Sequence, residues 1–101
     1  MVLAYITTKD KAEAATLGRH LLEKKLAACV NIIDGMWSLY WWEGKITQSE
    51  EAVLIAKTNE SHTKRLIEEV KSKHSYSTPC ILIIPIQSGN PDYLAWLDKN
   101  L

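Results

Sequence analysis

The chain has 101 residues, with 12 basic and 12 acidic side chains, 47% hydrophobic and 24% charged residues. That length fits one domain over residues 1–101, able to bury about 60–70% of its unfolded surface without staples, and the composition is that of a globular chain. The even charge balance lacks the basic excess by which nucleic-acid binders hold phosphates, and the longest apolar run, ILIIPI, is far too short to span a bilayer.

Val2 to Thr7 reads as a strand buried on both sides or nearly so. Its opening, MVLAYITTKDK, lacks the basic start and long apolar middle of a signal peptide. A cytoplasmic protein is therefore expected, with Cys29 and Cys80 as free thiols rather than a disulfide. Asp10 stands three residues before Glu13, a capping-box spacing. The helix that follows repeats Ala14, Leu17, Leu21, Leu22 and Leu26 on one face. Gly18 costs such a helix about 1 kcal/mol against alanine, so a close approach to a neighbouring element is expected there.

Leu26 to Ile33 reads as a second strand, and Asp34-Gly35 as a hairpin turn or a bulge. WSLYWW continues extended to a two-residue turn at Glu43-Gly44. Glu51 to Lys57 returns as a buried strand. A second helix follows, capped by Asn59 or Ser61, with Thr63, Leu66, Ile67, Val70 and then His74 on its inner face. CILIIPI is the last strand, and Pro85 places its end at an edge or a terminus. Asn90-Pro91-Asp92 starts a short helix with Tyr93, Leu94, Leu97 and Leu101 turned inward. The order β-α-β-β-α-β plus a terminal helix is the ferredoxin-like α+β arrangement.

Three tryptophans and a tyrosine crowd residues 37 to 42, in a chain with no phenylalanine. Such a strand either lines a binding site or is covered by another chain. An RNA-recognition domain would carry its stacking aromatics on the third strand, but EAVLIAK has none. The first loop has no Cys-x-x-Cys, so a ferredoxin-like metal chaperone is disfavoured still more. No spaced pair of cysteines or histidines marks a structural zinc. A thiol with one or two imidazoles would suit copper if the fold gathered them. The plain readings are otherwise structural: Cys29 and Cys80 as core, His20 and His62 as solvated helix residues, Glu50 and Glu51 as a solvated strand end. No phosphate loop or nucleophile elbow supports an enzyme. HSYSTP, His74 to Pro79, reads equally as a helix stop and as a polar pocket wall.

Five segments in order, EKKLAACVNI, SLYWWEGKI, SEEAVLIAKT, HSYSTPCILIIPI and DYLAWL, resemble the CutA family of divalent-cation tolerance proteins over nearly the whole chain. The resemblance implies a ferredoxin-like subunit in a tight homotrimer, similar in architecture to the PII signalling proteins. The second and third strands then form one long hairpin, the aromatic strand is mostly intersubunit surface, and Asp34-Gly35 is a bulge. It implies a non-enzymatic protein of divalent-cation tolerance that binds copper or another divalent cation near a subunit interface. Cys29 and His74 match the ligands suggested for the family. Trp37, Tyr40, Trp41, Trp42, Glu51, Lys57 and Tyr76 are the pocket and interface residues, with Glu51 and Lys57 alternatively an intersubunit ion pair. The chain departs from some members in having Ile6 where they carry a further cysteine, and Trp37 where the family is usually smaller. The alternative is a PII-like module that binds a small anion in the same clefts and addresses a protein partner. A third reading is a very stable trimer whose link to metals is indirect.

Overall fold

The computed structural model describes all residues, Met1 to Leu101. The elements are β1 (Val2–Thr8), α1 (Lys11–Glu23), β2 (Cys29–Trp42), β3 (Lys45–Thr58), α2 (Thr63–Lys73), β4 (Ile81–Pro85) and α3 (Pro91–Lys99), with a single 3-10 turn at Glu60–His62 before α2. The strands form one antiparallel sheet in the order β2-β3-β1-β4. This is the ferredoxin-like βαββαβ fold with an added C-terminal helix.

Alternation along the strands decides which face is covered. Residues 2, 4, 6 and 8 of β1 are buried while 3, 5 and 7 are half-buried, the period-2 pattern of a sheet with helices on one side only. β1 is thus not buried on both faces. Ala4, Ile6, Leu54 and Ala56 meet Leu17, Leu21, Leu66 and Val70 of the helices in the core. Gly18 lies where α1 crosses the sheet: a Cβ there would stand 3.0 Å from Val30 Cγ2 and 3.2 Å from Leu54 Cδ1. The close approach expected at this glycine is present.

Asp10 caps α1 by accepting from the Glu13 N–H at 2.8 Å. The helix ends at Glu23, earlier than its apolar run suggests. Lys25 adopts φ +58°, and the N–H groups of Leu26 and Lys25 bond back to the carbonyls of Leu21 and Leu22. These bonds make a Schellman stop with lysine where glycine is usual. Leu26 therefore sits in the connection as a fully buried plug, and β2 starts at Cys29. Leu22, expected inside, is 38% exposed. Asn59 is the cap of the turn before α2, accepting from the His62 N–H. In α3, Asn90 accepts from Asp92 N–H and Pro91 opens the helix, but only Leu97 is buried and Tyr93 stays partly exposed.

β3 is much longer than its local pattern suggests. It runs from Lys45 rather than Glu51, and pairs with β2 along its whole length. The register shifts between Ile33 and Met36, where Gly35 takes φ +69° and donates its N–H to Asp34 Oδ1. This is the bulge, not a hairpin turn. The turn lies at Glu43-Gly44, both at positive φ, as a two-residue hairpin turn requires. β1 pairs only with residues 52–58 of β3, so Met36 to Glu51 forms a two-stranded arm beyond the sheet. The molecule is correspondingly long, 45 × 25 × 21 Å.

Candidate functional site

The arm carries the aromatic cluster, split by alternation. Trp37, Leu39, Trp41 and Ile46 share one face and are 66–72% exposed. Met36, Tyr40 and Trp42 share the other face with Glu51, continuous with the helix-free face of the sheet. That helix-free face adds Ile33, Leu82 and Ile84, each about half exposed. A two-stranded ribbon with this much bare apolar surface is not stable alone in water.

The inner face of the arm, the second half of β1 with Lys9 after it, and the loop after α2 enclose a groove of about 920 Å³. Its walls include Tyr5, Met36, Tyr40, Trp42, Tyr76 and Cys80. The floor is fixed by Tyr76, whose phenol donates to Glu51 Oε2 at 2.7 Å. Burial, then that bond, then the Glu51 charge push the Tyr76 phenol well above its ordinary range, so it stays protonated. Tyr40 accepts from Ser49 Oγ at 3.3 Å, and Tyr5 has only the Met36 sulfur, at 3.6 Å.

The loop that presents Tyr76 is held by His74 and Glu13. His74 Nε2 donates to the Thr7 carbonyl at 2.8 Å, and its Nδ1 accepts the Tyr76 N–H at 3.0 Å. Both ring nitrogens are thus engaged, and the Nε2–H tautomer is the one these partners select. Glu13 accepts the N–H groups of Ser75 and Lys9 at 2.9 and 3.0 Å. Burial would raise the Glu13 carboxyl, but the bonds from Ser75 and Lys9 override it and hold it below the usual range.

Cys29 opens β2 opposite Lys57, on the helix-free face, half-buried. Neither it nor Cys80, which lines the groove, is a sealed core residue as the sequence suggested. Lys57 donates to the Tyr93 hydroxyl at 3.0 Å and lies 5.1 Å from its ring centre; that bond, opposed by burial, raises its ammonium above the ordinary value. Lys57 lies six positions along β3 from Glu51, so the two form no ion pair within one chain. Cys29 and His74 are also apart. Cys29 faces Lys57, which faces Leu3, whereas His74 holds Thr7 at the other end of β1. Strand rise and spacing put the two about 16 Å apart. No cluster of three or more histidine, cysteine or acidic residues forms within the chain.

Two residues take roles unlike their sequence readings. His20 bridges to Glu69 at 2.7 Å, tying α1 to α2. Glu51, read as a solvated strand end, lies within β3 and anchors Tyr76. No spacing rule couples residues 51 and 76; only the fold brings them together.

Residues 2–100 match the family described as CutA1 divalent ion tolerance protein. The Divalent-cation tolerance protein CutA of Escherichia coli O139:H28 is 45% identical over 100 residues, covering 99% of this chain and 89% of that protein. Two solved structures are similar throughout. CutA1 from Oryza sativa is 42% identical with a TM-score of 0.95, covering 98% of this chain and 91% of its own. The periplasmic divalent cation tolerance protein CutA from Archaeoglobus fulgidus is 46% identical with a TM-score of 0.95, covering 99% and 98%.

Proposed function

The chain belongs to the CutA1 divalent ion tolerance family, and from that premise we propose that it acts in divalent-cation tolerance as a homotrimer, holding a cation at clefts between copies without catalysing a reaction. The observation that carries the assembly is the arm, Met36 to Glu51, with its bare tryptophans on a ribbon that no other strand of the chain supports. A second copy covers that surface, and a closed ring leaves no unpaired ribbon to aggregate.

The ligand geometry favours the clefts over any site inside one chain. Cys29 and His74 are about 16 Å apart in one copy, so a site using both draws them from two. A thiolate and an imidazole suit copper or another borderline cation. Ligation by His74 exchanges one of its bonds, to Thr7 or to Tyr76, for the metal. No helix of the chain is long and apolar enough to cross a membrane, and we place the protein in the cytoplasm, where both thiols stay reduced.

Calorimetric titration of the reduced protein with copper and with zinc tests the cation site. Saturable binding at one metal per chain, lost in Cys29→Ser, supports it. No binding tighter than millimolar, or binding unchanged by the substitution, removes Cys29 from the site.

A further inference from the structure

We propose that the crevice between α1 and α2, on the outer side of the helix layer, is a binding site for a small phosphorylated molecule, a phosphate monoester on a polar body. The crevice holds about 360 Å³ and is lined by Ala15, Thr16, Arg19, His20 and Glu23 of α1 and Lys73 of α2. That volume takes a phosphate with a small organic body, and Ala15 is the one apolar residue in the lining, so the body is polar as well. The helices pack on the sheet face opposite to the one that the proposed assembly buries, and the contacts between copies leave the crevice open.

Charge is segregated in this fold, although the whole chain is neutral. Residues 11–25 and 63–73, the two helices with the two lysines after α1, hold 8 of the 12 basic side chains and 4 of the 12 acidic ones, a net +4 against −4 for the rest. All 8 basic side chains are exposed. A surface of one sign concentrates ions of the other. Within it, Arg19 and Lys73 reach the crevice from the two helices, and neither forms an ion pair in the chain, whose one salt bridge is His20–Glu69. Glu23 stands four residues after Arg19, the weaker order for a helical pair, and does not capture the guanidinium. The Glu69 charge is met elsewhere: its carboxylate holds His20 at 2.7 Å and lies near Lys24 and Arg65. A guanidinium fork and an ammonium on neighbouring helices suit the oxygens of a phosphate, and the fork holds two of them at once. Thr16 adds no donor, because its hydroxyl bonds to the Ala12 carbonyl at 3.1 Å. His20, fixed through Nε2, forms a wall of the crevice and reports on its occupant.

The test uses the intact, assembled protein with inorganic phosphate and glycerol phosphate as probes, and chloride at matched ionic strength and pH as the comparison. The ring C–H signals of the histidines report binding by NMR. His20 lines the crevice, while His62 sits in the 3-10 turn before α2 and serves as the internal control. The expected result is a saturable shift of His20, not His62, with either phosphate in the millimolar range and none with chloride. Arg19→Gln and Lys73→Gln should each weaken binding about fivefold, while Lys64→Gln, on the same layer but outside the crevice, leaves it unchanged. The same shift with chloride, an equal loss in Lys64→Gln, which would mark a general surface field, or no saturable shift with either phosphate overturns the proposal.

Discussion

The Tyr76 phenol donates to Glu51 at 2.7 Å, joining the loop after α2 to the root of the hairpin arm. This bond is the one side-chain link that fixes the loop against the arm across the groove. Bonds to an ionised acceptor contribute about 1.5–3 kcal/mol when buried, and less when half exposed. Tyr76→Phe should therefore lower stability by about 1 kcal/mol in urea unfolding. In a double-mutant cycle with Glu51→Gln, the two losses should not add, because both remove the same bond. Additive losses would mean that the contact is incidental.

Gly18→Ala tests the helix–sheet contact. Alanine gains about 1 kcal/mol of helix propensity over glycine, but its Cβ would meet the stiff Val30 side chain at 3.0 Å. The clash should win, with a net loss of about 1 kcal/mol in thermal or denaturant unfolding. Gly18→Leu should lose several times more.

Glu13 gives a pH dependence of defined sign. Its carboxyl is held below its reference value of 4.5 in the folded chain. A depressed folded pKa means stability that is present above the unfolded value and lost as pH falls through the folded one. The stability difference between the wild type and Glu13→Gln should be constant near neutrality and shrink below about pH 4.5. A difference independent of pH would contradict the proposed role of its charge in holding Ser75.

Trp41 is 72% exposed on the outer face of the arm and touches none of the core. Trp41→Glu should leave the fold of each chain intact by circular dichroism yet weaken the assembly, so that smaller species appear in sedimentation velocity on dilution. Its cost falls on association, because a buried unpaired carboxylate at an interface loses its hydration.

Much of the fold was legible in the sequence because each local signal agreed with the global order. The Asp10 and Asn90 caps and the Glu43-Gly44 turn lie where their patterns place them, and Leu17, Leu21, Leu66 and Leu97 are buried as expected. The errors have physical causes. Lys25 in the left-handed region gives no glycine to mark the end of α1. Residues 45–50, KITQSE, are too polar to read as a strand because they pair with β2 outside the core. Their place in a long hairpin came only from the family resemblance. The site was less legible. Tyr40, Trp42, Glu51 and Tyr76 do share the groove, but the Tyr76–Glu51 bond spans 25 positions and leaves no periodic trace. Cys29 and His74 look like partners in a motif list, yet the register of β1 with β3 places them at opposite ends of the sheet.

The measurement closest to the central claim is the mass of the protein in solution by sedimentation equilibrium at several concentrations. The proposed homotrimer predicts a species of three chains, each of 11.5 kDa, persisting on dilution to the micromolar range. A single chain at all concentrations would leave the tryptophans of the arm uncovered and contradict the intersubunit site.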